Sequence, residues 1–208
     1  METASLRERK KQRTREALVD AAFGLFQRKG FEATTVDEIA DSVEVSARTF
    51  FRYFEGKDDL LLTIQEQQFE LLFDLIRARP ADEAVLDVVR HASVEVVRAA
   101  ERGTHGFDPE KVSCMQSLLA ASPALAARCR AFSSARTDEL ADCLAARMGV
   151  PADDPRASLV ASVAVTTVQV AMAWHERDRS VPLSDCLDRA FLLLAAGVNY
   201  PARSGADG

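Results

Sequence analysis

The sequence predicts an all-α fold of about nine helices, and three observations lead there. Apolar residues recur at three- and four-residue intervals along most of the chain, the period of one helix face. A capping residue stands directly before proline at Asp108-Pro109, Ser122-Pro123 and Asp154-Pro155, the signature of a helix N-terminus. No segment shows the alternation of a half-buried strand.

The first helix is expected from about Leu6 to Lys29. Leu18, Ala22, Leu25 and Phe26 form its apolar stripe, and Gly30 sits where a left-handed terminating residue belongs. Thr35 then opens a second helix, with Glu38 three residues on to complete a capping box. Val36, Ile39, Ala40 and Val43 make its stripe. Glu44-Val45 is the turn, and Ser46 can cap a third helix from Ala47 to Phe54. Phe50 and Phe54 fall on one side of that helix; Ala47, Arg48, Thr49, Phe51 and Arg52 are available to the other. A small core of Leu18, Leu25, Phe26, Val36, Ile39, Val45, Phe50 and Phe54 can hold the three together. Two short helices joined by a tight turn, the second free to enter a major groove, are a helix-turn-helix.

Leu25 to Leu61 reads LFQRKGFEATTVDEIADSVEVSARTFFRYFEGKDDLL. This stretch resembles the TetR family of bacterial transcriptional repressors. Many spaced positions match together: the Gly-aromatic step, the Thr-Thr cap, the Val-Ser turn and the Thr-Phe-Phe-x-Tyr-Phe run. One position departs. The family usually has Gly before the Val-Ser, and here Glu44 stands there; if the site needs positive φ, Glu44 is strained by about 1 kcal/mol. The resemblance implies a three-helix DNA head followed by a helical ligand-binding and dimerisation domain. The opening LRERKK…TR is also similar to an actinobacterial subgroup that includes acyl-CoA-responsive members.

A reading helix needs short side chains at its start and an arginine for guanine. Ala47, Arg48 and Thr49 supply both. By the resemblance, Ala47, Arg48, Thr49 and Phe51 meet bases, while Thr35, Tyr53, Lys57 and a basic arm including Arg13 hold phosphates. Charge supports this. The chain is net −6, but residues 1–15 carry six cations against two acids, and residues 58–208 carry 15 basic and 22 acidic side chains. Asymmetry between the ends suits a regulator that presents one end to DNA.

The remaining helices follow from their caps. A long fourth helix runs from Lys57 to Ile76, with acids in its first turn. Pro80 starts the next, to about Glu101. Another follows Pro109, one spans Ala124 to Gly149, and two more cover about 155–175 and 185–197. The expected domains are 1–56 for the DNA head and 57–200 for the ligand and dimer domain, with a disordered tail at 201–208.

One head reads too few base pairs, so a homodimer on a palindromic double-stranded operator is expected. The last two helices are the candidate interface, with Val160, Val163, Val168, Ala171, Leu187, Phe191, Leu194 and Ala195. Effector candidates are Phe69, Phe73, His91, Met115, Leu119, Phe132, Gln169, Met172 and Trp174, a mostly apolar set that suggests a hydrophobic or amphipathic molecule. Ala157–Trp174 carries no charged residue but has Ser158, Ser162 and Thr166 on one face, so a packed helix is expected and not a membrane span. No secretory signal is seen, which points to the cytoplasm. The four cysteines are widely spaced and read as reduced thiols. His91, His105 and His175 lack metal-ligand spacing, and no nucleophile motif or phosphate loop occurs. No metal, no cofactor and no enzyme activity is therefore expected. The alternatives are a transcriptional activator of the same fold, or a helical interaction protein without an effector.

Overall fold

The computed structural model describes residues 6–197, which form ten helices and no strand. They are α1 (Leu6–Lys29), α2 (Val36–Asp41), α3 (Ala47–Phe50), α4 (Asp59–Ala78), α5 (Val85–Arg102), α6 (Pro109–Ala121), α7 (Pro123–Ala135), α8 (Thr137–Met148), α9 (Pro155–Arg177) and α10 (Leu183–Ala196). The tail expected to be disordered, 201–208, lies outside the described residues.

The single helix expected from Ala124 to Gly149 is two, parted at Arg136. Ser133 and Ser134 precede the break, and hydroxyl side chains compete with helical backbone bonding. Pro80 opens a turn instead of a helix. Its carbonyl accepts from the Glu83 amide at 3.3 Å and from the Arg147 guanidinium, so α5 begins at Val85.

Compactness does not follow a cut at residue 56. One unit runs to Glu70 and takes in Ala100–Ser133; the other holds Leu71–Ala99 and the described chain from Ser134. Helices α6 and α7 thus cluster with the helix-turn-helix.

In the first unit α1 buries Leu18, Ala22, Phe23 and Phe26 at four- and three-residue steps. Phe23, absent from the expected core, is 1% exposed, whereas Leu25, Val36 and Val45 are only half-buried. Ile39, Ala40, Phe50 and Phe54 complete the head's core. Each fully buried large side chain contributes about 1.5–3 kcal/mol. Polar ties bind α6 and α7 into the same unit. Lys111 pairs with Asp20, Gln27 donates to the Glu110 carbonyl at 3.4 Å, and Arg128 pairs with Asp58 at 3.0 Å and with Asp59.

The turn of the helix-turn-helix shows why Glu44 matters. The Val45 amide reaches back to the Ala40 carbonyl and the Glu44 amide to Asp41, both at 3.0 Å. This closure requires a left-handed residue, and Glu44 has φ 56°. A side chain at that φ costs about 1–2 kcal/mol, partly offset by the extra chain entropy glycine would lose. Glu44→Gly is expected to stabilise the head by about 0.5–1 kcal/mol net, read as a raised denaturant midpoint at constant m-value. An unchanged or lowered midpoint would show that the turn is not strained.

In the second unit α9 packs on α8 and α10. It does so with small residues, Ala157, Ala161, Ala164, Thr167 and Ala171, on one face. By length and composition α9 could cross a bilayer; here its alanine face meets protein. Ser158, Ser162 and Thr166 point outward, as the spacing predicts. Arg90 on α5 ties to Asp188 on α10 at 2.7 Å. Arg147 donates to the carbonyls of Ile76 at 3.2 Å and Arg79 at 3.1 Å, taking up the C-terminal end of α4.

The dimer candidates divide. Ala171, Leu187 and Phe191 are 0–1% exposed, so they belong to the protomer's own core and cannot form an outer face. They carry the same apolar helix period as surface residues, which is why sequence alone did not separate them. Val160, Val163, Val168 and Leu194 are half-buried, and Ala195 is exposed. The large apolar side chains these helices expose are instead Leu159, Val170, Leu192 and Leu193.

Candidate nucleic-acid interface

The head is assembled by two caps. Thr35 and Glu38 form the full capping box at the start of α2. The Lys29 ammonium, then the Thr35 amide and hydroxyl, hold the Glu38 carboxyl down to about 2. Thr35 Oγ1 donates to Glu38 Oε2 at 2.8 Å, so its one hydroxyl hydrogen is committed within the box. Thr35 therefore serves first as the cap of α2; a phosphate would have to displace Glu38. Ser46 caps α3: its Oγ accepts from the Thr49 amide at 3.2 Å and lies 3.1 Å from Thr49 Oγ1.

Regular α-helix in α3 ends at Phe50, and the chain continues coiling to Phe54. The Tyr53 amide bonds the Phe50 carbonyl at 2.8 Å and the Phe54 amide bonds the same carbonyl at 3.1 Å. Phe50 and Phe54 face inward, 0% and 5% exposed, with ring centroids 5.5 Å apart. Phe51 faces outward, 56% exposed. Arg48 is exposed and forms no ion pair among the described residues, while Ala47 and Thr49 are half-buried beside it. The structure thus brings Ala47, Arg48, Thr49 and Phe51 together on one short element.

Tyr53 is half-buried, and Arg52 lies over its ring at 5.0 Å and donates to its hydroxyl at 3.2 Å. Arg52 was legible only as part of the outward face; a cation set between two aromatics was the available signal. Arg13 stands exposed on α1. Two turns away from the N-terminus, Arg15 pairs with Glu66 at 2.7 Å and lies 5.4 Å from the Phe54 ring centroid.

Lys57 is placed differently from its expected phosphate role. Its ammonium donates to the carbonyls of Phe31 at 2.7 Å, Thr34 at 3.2 Å and Glu32 at 3.4 Å, and sits 4.3 Å from the Phe31 ring centroid. Those acceptors engage all three of its protons. In the free head Lys57 closes the loop between α1 and α2.

The effector candidates are spread over both units. In the first, Phe69 and Phe132 meet edge to face at 6.3 Å, Met115 is buried and Leu119 half-buried. In the second, Phe73 is buried against the guanidinium groups of Arg136 and Arg77, 5.5 and 5.9 Å from its ring centroid. Gln169 is exposed; Met172 and Trp174 are half-buried on α9. His91 is occupied on both ring nitrogens, by Glu83 and by Arg90 at 2.7 Å each. Arginine can only donate, so Nε2 accepts and Nδ1–H donates to Glu83. That places His91 in a polar network with Glu83 and Arg90. Arg79, then His91, hold the Glu83 carboxyl down to about 2. An open groove of about 600 Å³ beside α1 and α6, lined by residues such as Phe26, Gln27, Cys114 and Leu118, contains none of the candidates. The four cysteines are free, and burial pushes each thiol upward, toward the protonated form.

A capped pair of helices that buries Phe50 and Phe54 while presenting Arg48 and Phe51 defines a DNA-binding regulator of the helix-turn-helix class. The sequence model for bacterial regulatory proteins of the tetR family matches residues 18–64, and that for the MftR C-terminal domain matches residues 83–199. The chain belongs to the TetR family of bacterial transcriptional regulators. It is 36% identical over 176 residues to the HTH-type transcriptional regulator TcmR of Streptomyces glaucescens, covering 83% of this chain and 77% of that protein. It is 25% identical over 198 residues to the HTH-type transcriptional activator FasR of Mycolicibacterium smegmatis, covering 89% and 83%. A crystal structure of Thermus thermophilus FadR, a TetR-family repressor in complex with lauroyl-CoA, shares the fold with a TM-score of 0.58 at 24% identity, covering 93% of this chain and 100% of that one.

Proposed function

We propose that this chain is a cytoplasmic repressor that binds a palindromic operator as a homodimer and is released by a hydrophobic or amphipathic small molecule. The observation that carries the reading is the outward pair Arg48 and Phe51 on a helix anchored by Phe50 and Phe54. Arg48 would bond guanine O6 and N7, and Phe51 would pack on a thymine methyl. The exposed Leu159, Val170, Leu192 and Leu193 support pairing through α9 and α10. Repression follows from occlusion of a promoter by the bound dimer.

Release would be a population shift between DNA-competent and incompetent states. The ties of Lys111 to Asp20 and of Arg128 to Asp58 and Asp59 give a displaced α6 or α7 a direct pull on the helices of the head. The lauroyl-CoA named for FadR makes a fatty acyl-CoA the first effector to try. Activation is the second reading, favoured by the relative named as an activator.

The test starts from a duplex selected from a random-sequence pool. Arg48→Ala is expected to weaken binding to it by about 1–3 kcal/mol and to relax one base position in each half-site. Equal losses on selected and scrambled duplexes would remove Arg48 from base reading. Titration with lauroyl-CoA, with lauric acid and CoA as controls, then reads release.

A further inference from the structure

We propose that His91 is a proton-sensitive latch: neutral, it steadies the Arg90 guanidinium that ties α5 to α10, and protonated, it lets that tie go. Only the consequence for operator binding rests on the pairing through α9 and α10 proposed above.

Every group involved lies in the second unit. Arg90 donates to Asp188 on α10 at 2.7 Å, lies 2.7 Å from His91 Nε2, and stands 3.5 Å from Asp87 on its own helix. His91 Nδ1 lies 2.7 Å from Glu83 Oε1, and Arg79 donates to the same oxygen at 2.6 Å. The side chains of Glu83 and Arg90 are 14% and 18% exposed, so water competes weakly for these bonds. One polar path thus runs from the end of α4, through α5, to α10.

The donor count makes this path sensitive to a single proton. A guanidinium has no lone pair to offer, so His91 Nε2 must accept. An imidazolium donates from both nitrogens. With a proton on Nε2, two N–H groups face each other across 2.7 Å, and one has to move. Glu83 keeps its bond to Nδ1–H in either state, so the ring stays and Arg90 is displaced. Its hold on Asp188 goes with it.

Charge does not keep the proton out. Among the described residues, Glu83, Asp87 and Asp188 set three carboxylates against the guanidiniums of Arg79 and Arg90, leaving the cluster one negative charge in excess. Glu83 does not take the proton itself, because Arg79 and then His91 hold its carboxyl down to about 2. Uptake at His91 therefore balances the charge of the cluster while breaking its geometry, as a switch requires. The tie needs neutral His91, so it is present at the alkaline end and lost as pH falls. His175 offers a contrast. Its Nδ1–H donates to the Val181 carbonyl at 2.8 Å, a bond an imidazolium makes equally well.

The experiment follows hydrogen exchange of the α10 amides at about pH 8 and about pH 5.5, on either side of the range where histidines titrate. Protection factors are corrected for the intrinsic pH dependence of exchange. Wild type is expected to lose protection in α10 about tenfold on acidification. His91→Gln, which has an amide acceptor and donor but takes up no proton, should keep it. His175→Gln should respond as wild type does. Asp188→Asn, lacking the charge that Arg90 grips, should start lower and lose little more. Nitrogen-15 spectra of the wild-type imidazoles at pH 8 should show His91 protonated on Nδ1 and bare on Nε2. A proton on Nε2 at that pH overturns the proposal. So does a loss in His91→Gln as large as in wild type, or an α10 that acid leaves unchanged. Weaker dimerisation in acid, absent in His91→Gln, would carry the latch through to the operator. Acid-loosened α10 in a dimer of unchanged strength would support the latch and sink the pairing surface instead.

Discussion

If the chain pairs through α9 and α10 as proposed, Leu192→Arg is expected to split the dimer and remove tight operator binding without unfolding the protomer. Leu192 is 51% exposed on α10, so a charge there is solvated in the monomer. Paired through a two-fold axis, the same substitution buries two uncompensated charges at once. Each such charge costs about 3–5 kcal/mol, enough to take a micromolar-stable dimer apart. A single head then holds only one half-site. Sedimentation velocity at micromolar concentration should show a monomer with unchanged helicity by circular dichroism. A variant that stays dimeric would move the interface elsewhere, and Leu159→Arg on α9 would be the next position to try.

Phe50→Ala has the largest expected effect on stability. Its ring is fully buried, in contact with Phe54 and edge-on to Phe51. Truncation of such a phenylalanine costs about 3–5 kcal/mol, a large share of the roughly 5–15 kcal/mol that holds a domain folded. Hydrogen exchange should show the amides of α2 and α3 losing protection first. Phe51→Ala is the control one position along: exposed, it should leave unfolding unchanged and weaken operator binding. If both variants unfold alike, the inward and outward assignment of the two rings is wrong.

The head was legible because its signals are local. A Thr35–Glu38 box and the Ser46 cap are each specified within four residues, and both form as the spacing requires. The left-handed turn at Glu44 was legible too, from the position where the resembling family carries glycine. What sequence did not reveal depends on contacts distant along the chain. Lys57 meets carbonyls some 23–26 residues away, and nothing near it announces them. The period of α9 and α10 marks which residues are apolar but not which neighbour they face. Ala171 and Phe191 inside, with Leu159 and Leu192 outside, is a distinction that only packing makes. The effector candidates share this difficulty, since bulky apolar residues on middle helices fill cores as readily as they line cavities.

The Glu44 turn has a consequence for engineering. Its carboxylate is exposed and meets no partner among the described residues, so the backbone strain supports no contact. Natural chains rest just above the threshold that selection enforces, and unused stability of this kind is common in them. The position is therefore a handle for hardening a biosensor scaffold: one substitution, at a side chain with no assigned part in base reading, is expected to raise heat tolerance.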